Sequence, residues 1–176
     1  MKILSPQEVK AIQAAVQLQG LDKENKNVLA QMLDFKVDTI HDAELYVDGA
    51  SDLHSKTAGI GGVIYVAGKE IFSFSEPLVD KTNNEAEYLS MIQGLKVALE
   101  LNIATISIYS DSELIVKQVK GEYKLKNERM RALNQKVYSY LNQFAMWSVS
   151  HIRREKNTRA DELSKMGMKE AKNSKK

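Results

Sequence analysis

Hydrophobic residues follow two different rhythms along this chain, and the change comes near residue 43. Before it the spacing is helical. Ser5-Pro6-Gln7-Glu8 predicts a helix start, with serine at the cap, proline in the first turn and glutamate three residues after the cap. Val9, Ile12, Ala15 and Val16 then recur on one face, and Gly20 ends the run. A second helix is expected from Lys23 to about Phe35, with Val28, Leu29, Met32 and Leu33 as its apolar stripe. Residues 1–40 therefore read as a helical hairpin. It is too small to hold much core alone, and could pack on the main domain, mediate self-association, bind a protein partner or contact nucleic acid.

From Ala43 the rhythm becomes one of short extended runs. Ala43–Ala50 predicts a first strand, Gly59–Val66 a second and Glu70–Pro77 a third, with Asp52–Thr57 a polar loop and Ala67-Gly68-Lys69 a hairpin turn. Glycines 59, 61 and 62 mark places where backbones approach closely. Thr82 caps a long helix from Asn83 to about Asn102, Glu85 completes a capping box, and Leu89, Ile92, Leu95 and Leu99 form the expected buried stripe. A strand (Ala104–Ser110), a short helix (Ser112–Val119), a longer helix (Asn127 to Phe144), a last strand (Met146–Ile152) and a closing helix from about Asn157 follow, with a basic, frayed tail over 169–176. The fold class is α/β: a mixed five-stranded sheet, three antiparallel strands then two parallel ones, with helices on both faces over residues 43–168.

Composition narrows the chemistry. The 176 residues include no cysteine, which excludes disulfides, thiolate metal sites and cysteine nucleophiles. No apolar run approaches the roughly 20 residues of a membrane span, and the N-terminus lacks the pattern of a signal peptide, so no membrane and a cytoplasmic location are expected. Net charge is only +2 but uneven: His151–Lys176 carries nine Lys or Arg against four Asp or Glu, and Gln118–Lys136 is also basic. That distribution suits a polyanionic partner, and equally a solvated helix face.

Four acids occupy fixed points in this scheme. Asp48 ends the first strand on its polar face, with Gly49 letting the chain turn after it. Glu87 lies one turn into its helix, offset from the leucine stripe. Asp111 stands at the end of the fourth strand, on the polar parity of Ser107 and Tyr109; Asp161 lies one turn into the last helix. Sites in α/β sheets gather beyond strand carboxyl ends, so these acids can converge. Each also has a local alternative: Asp-Gly is ordinary turn chemistry, Asp111 could cap the short helix, and Asp161 could answer a helix dipole.

The strings YVDGAS, TNNEAEY, YSDSELIV and NTRADELS, in this order, resemble the four signature blocks of type 1 ribonuclease H, over about Ala43 to Met168. The resemblance implies the ribonuclease H-like fold and an endonuclease that cuts the RNA strand of RNA/DNA hybrids, leaving 5′-phosphate and 3′-hydroxyl ends. It implies that Asp48, Glu87, Asp111 and Asp161 are catalytic and hold two Mg2+ ions (or Mn2+), with Asp48 bridging both. Hard cations prefer carboxylate oxygens, and two of them can activate a water and stabilise the leaving oxygen in one in-line displacement. Glu87 would also meet a substrate 2′-hydroxyl. Ser51, Asn83, Asn84, Arg153, Arg154 and Asn157 are expected substrate contacts, the two asparagines at the helix start being equally suited to capping. His151, ten residues before Asp161, either aids product release or simply ends a strand. The loop after the first acid is not the family's Gly/Pro-rich one, and Gly121–Asn127 leaves no room for a basic protrusion. The chain thus resembles compact members. The altered loop leaves double-stranded RNA as an alternative substrate, and a non-catalytic nucleic-acid-binding module as an alternative of another class.

Overall fold

The structure, a computed structural model, describes residues 11–12, 14–18, 20–34, 40–125 and 127–174. The helix start expected at Ser5–Glu8 lies outside the described residues, as do Phe35 and the last two lysines of the tail. Residues 11–12 and 14–16 are helical, and α1 spans Lys23–Asp34 with Val28 and Met32 exposed.

Three meandering strands come next: β1 (Ala43–Asp52), β2 (Thr57–Val66) and β3 (Lys69–Val79). They pair antiparallel, Asp48 facing Gly61 and Asp52 facing Thr57. Helix α2 (Asn83–Glu100) leads to β4 (Thr105–Ser110), which runs parallel to β1. Helices α3 (Glu113–Val119) and α4 (Glu128–Leu141), strand β5 (Met146–His151, parallel to β4) and helix α5 (Thr158–Asn173) complete the chain. The sheet order is β3-β2-β1-β4-β5. Helices lie on both faces, α2 and α4 on one and α5 on the other.

One core fills the α2 side. Leu45 and Val47 of β1, Ile64 of β2, and Ile106 and Ile108 of β4 are buried against Met91 and Leu95. The helix is sheathed more widely than the Leu89/Ile92/Leu95/Leu99 stripe implies. Ala86, Tyr88, Met91, Val97 and Ala98 are buried too, while Leu89 and Leu99 sit at the margin. The reason is that α2 lies between the sheet and α4 and so buries two sides. The Tyr88 hydroxyl donates to Gln118 Oε1 at 3.0 Å and accepts from Asn134 Nδ2 at 3.2 Å, tying α2 to α3 and α4. On the opposite face the small β2 residues let α5 lie directly on the strand: a Cβ at Gly61 would stand 2.2 Å from the Ser164 nitrogen.

Two of the boundaries that differ from the sequence reading have a visible cause. The polar loop over Asp52–Thr57 shrinks to a four-residue turn, because both flanking strands extend and the Asp52 carboxylate accepts from the His54 nitrogen at 3.0 Å. The closing helix does not fray after Gly167. It continues to Asn173, held by buried Ala171 and by Lys172 Nζ 2.7 Å from Asp52 Oδ2.

Candidate metal centre

The centre arises from a step in the sheet. Strand β4 stops at Ser110, opposite Val47, while β1 continues for five more residues. Asp48 and Asp111 are the next residues beyond that last pair and stand side by side. Asp48 is thus not the end of its strand, as the Asp-Gly pair had implied. Gly49 adopts no left-handed conformation; its role is steric. A Cβ there would lie 2.3 Å from the Glu87 nitrogen and 2.4 Å from the Ala86 carbonyl carbon. Only glycine lets the first turns of α2 cross β1 this closely, and that crossing carries Glu87 over the sheet to the two aspartates.

Ligand oxygens of Asp48, Glu87 and Asp111 all lie within 4.8 Å of one another. Asp48 is 5% exposed and Glu87 6%, which is unusual for carboxylates lacking a cationic partner in direct contact. The capping box forms as expected between Thr82 and Glu85, which leaves Glu87 with no local structural duty. It accepts a hydrogen bond from the Gly49 backbone, yet its Oε2 is buried without a partner. Desolvation, and then the charges of Asp48 and Asp111, push Glu87 up to about 9. Desolvation likewise pushes Asp48 up to about 6, against a hydrogen bond from Ser164 that favours its ionised form. Three crowded carboxylates with an orphaned buried oxygen fit a hard cation, which takes oxygen ligands and removes the repulsion.

Asp111 does not cap the short helix; its Oδ1 accepts from Asn157 Nδ2 at 2.9 Å. The same nitrogen donates to the Val47 carbonyl at 2.9 Å, and since that carbonyl can only accept, the amide orientation is settled. Asn157 is 1% exposed, so it is not the expected substrate contact. It precedes α5 without capping it, its side chain turned instead to brace β1 and Asp111. Asp161 stands outside the three-acid group. Burial acts to raise it, but hydrogen bonds from Lys165 and Arg154 outweigh this and hold it below the usual carboxylate range.

The remaining candidates scatter. Asn83 and Asn84 are exposed at the start of α2, and Thr82 with Glu85 does the capping, so neither asparagine is needed for it. Asn84 lines a cavity of about 630 Å3 with Thr82, Gln118, Tyr123, Lys124 and Asn127. His151 ends β5 opposite Ser110, exposed to solvent, and Arg153 is exposed just before the short helical turn Arg154–Lys156. Ser51 is part-buried in β1 opposite Ala58. Sequence reasoning passed over Ser164 and Lys165. Their one signal was position, three and four residues after Asp161 on the same helix face.

Comparison with known proteins points one way. Residues 46–167 match the model of the reverse transcriptase-like family. Ribonuclease HI of Halobacterium salinarum is 30% identical over 127 residues, covering 72% of this chain and 64% of the relative. A bifunctional protein of Mycobacterium tuberculosis is 31% identical over 123 residues, 69% of this chain but only 34% of its own length. The N-terminal RNase H domain of that protein, solved as a fusion with maltose-binding protein, superposes with a TM-score of 0.74 at 28% identity, covering 78% of this chain and 99% of the solved one. A ribonuclease H1 solved in complex with an RNA/DNA hybrid superposes with a TM-score of 0.69 at 31% identity, over 74% of this chain and 99% of that one. With 122 residues matched and a shared sheet order, the chain belongs to the reverse transcriptase-like family and has its ribonuclease H-like fold.

Proposed function

We propose that the chain is a divalent-cation-dependent endonuclease that hydrolyses the RNA strand of RNA/DNA hybrids, leaving 5′-phosphate and 3′-hydroxyl ends. The observation that carries this reading is the group Asp48, Glu87 and Asp111, mutually within 4.8 Å, with a buried unpaired Glu87 oxygen. Two cations, Mg2+ or Mn2+, held by these acids and Asp161, would supply water activation and charge stabilisation at the leaving oxygen. The chain's own residues do the rest. Gly49 and Ser164 hold Glu87 and Asp48 by hydrogen bonds, and Asn157 fixes Asp111 against β1. Glu87 would be the acid that reads a 2′-hydroxyl, the group that distinguishes RNA from DNA. The cavity beside the start of α2 offers amide and ammonium donors (Asn84, Lys124) suited to a backbone phosphate. The hybrid-bound relative supports the substrate class. The exposed Val28 and Met32 of α1 suit a protein partner or a second copy. Among the described residues no helix is long and apolar enough to cross a membrane.

The test uses labelled RNA/DNA hybrid, double-stranded RNA and duplex DNA with Mg2+, Mn2+ or EDTA. Only the hybrid should be cut, only with cation, and Asp48→Asn should lose at least about a thousandfold in rate. Hybrid left intact by the wild-type chain would refute the reading. Cleavage of double-stranded RNA at a comparable rate would move the substrate class.

A further inference from the structure

Asp161 is the one acid of the four strings with both oxygens engaged by cationic side chains. Its Oδ1 accepts from Arg154 Nη2 at 2.6 Å, and its Oδ2 accepts from Lys165 Nζ at 2.5 Å. It is also the acid that does not join the other three. The two partners differ in place and reach. Lys165 sits one turn along α5, an i,i+4 neighbour of Asp161 alone. Arg154 comes from the helical turn ahead of α5, and its charge also acts on Asp48 and Glu87, while Asp111 and Asp48 act on it in return. Its guanidinium therefore stands where positive charge is wanted by all four acids. Its side chain is 67% exposed, so leaving that place uncovers little.

We infer that Arg154 is a built-in counter-ion that competes with one divalent cation for Asp161, and that the phosphate backbone of the substrate draws its guanidinium away. A guanidinium fork matches a carboxylate and a phosphate equally well, so the exchange costs neither partner its geometry. Without nucleic acid, the centre takes one cation tightly through Asp48, Glu87 and Asp111, and a second weakly, against Arg154. With nucleic acid present, Arg154 has another anion to pair with and Asp161 is released to the second cation. Cation and polyanion binding thus favour each other through one side chain, and the coupling is reciprocal. Lys165 keeps its oxygen in both states and fixes the Asp161 rotamer.

This inference rests on the nuclease reading for its polyanion, but its first test does not need activity. Mn2+ binding to the full chain is followed by the electron paramagnetic resonance of unbound Mn2+, in the absence of nucleic acid. The wild-type chain should show a tight and a weak class. Arg154→Met should tighten the weak class roughly tenfold, the equivalent of one charge-assisted pair, and Arg154→Gln should act in the same direction. Lys165→Met should change it by less than about threefold. Asp161→Asn should abolish the weak class and, combined with Arg154→Met, erase the effect of the arginine change. In the second arm a hybrid whose RNA strand is fully 2′-O-methylated should tighten the weak class in the wild-type chain and not in Arg154→Met. Circular dichroism checks that each variant is folded. Arg154→Met isotherms that superpose on wild type, a Lys165→Met effect as large as the arginine one, or no saturable Mn2+ binding would each overturn the exchange. A chain that shows the whole cycle yet cuts no hybrid would refute the nuclease reading and leave the exchange standing.

Discussion

Glu87 should make the cation-depleted protein lose stability as pH rises through the neutral range. Its carboxyl is pushed up to about 9 in the folded chain, from an ordinary value of 4.5, first by desolvation and then by Asp48 and Asp111. Between those values the folded state holds a proton that the unfolded state has released. Stability is therefore greatest below about 4.5 and falls as pH rises towards 9, by about 1.4 kcal/mol per pH unit for one proton. From pH 6.5 to 8.5 the loss is about 2.5 kcal/mol, or roughly 5–10 °C in Tm for a chain of this size. Asp48 does not blur this window, since its own runs from 3.8 to about 6. The assay is urea unfolding in EDTA at pH 6.5, 7.5 and 8.5, for wild type and Glu87→Gln. Glutamine keeps the shape and cannot ionise, so its profile should be flatter by that 2.5 kcal/mol and the variant more stable than wild type at pH 8.5. Saturating Mg2+ should flatten the wild-type profile too, because the cation stabilises the carboxylate. Parallel slopes for the two proteins in EDTA would refute the account of Glu87 as a buried, charge-crowded acid.

Gly49→Ala should destabilise the fold by about 3 kcal/mol in urea unfolding, since the new methyl meets α2 backbone rather than a movable side chain. It should also weaken cation binding, because α2 must retreat and take Glu87 with it. Asn157→Ala should cost about 2 kcal/mol and weaken cation affinity at least tenfold, measured by calorimetry, as Asp111 and the Val47 carbonyl lose their shared donor. Ser164→Ala removes a hydrogen bond that favours ionised Asp48. The pH midpoint of Mn2+ binding should move upward, by roughly half a unit to one unit, with little change in Tm.

What the sequence made legible, and what it hid, divides by the range of the interaction responsible. The strands and helices were readable because period and capping are local: Thr82 and Glu85 announce the start of α2 from three residues apart, and the structure forms that box. The acids were readable because each sits in its own string. Gly49 misled because Asp-Gly is local turn chemistry, whereas the pressure on that position comes from α2, almost forty residues later in the chain. Asn157 misled for the same reason. A polar residue at the end of a basic loop reads as a substrate contact, but its amide spans to Val47 and Asp111, 110 and 46 residues away. The Leu89 stripe undercounted α2 because periodicity assumes one buried side, and packing against both sheet and α4 supplies two. These departures are not scattered over the fold. The mid-strand glycine, the buried asparagine that braces Asp111 and the glutamate with one unpartnered buried oxygen all meet at one point, where β4 stops and β1 continues. Local rules are broken there together because each break lets an acid approach another acid, which a stable fold tolerates only where something else supplies the missing positive charge. Arg154 supplies part of it, in contact with Asp161 and at longer range with the other acids, and the unpartnered oxygen of Glu87 marks where no direct contact supplies the rest.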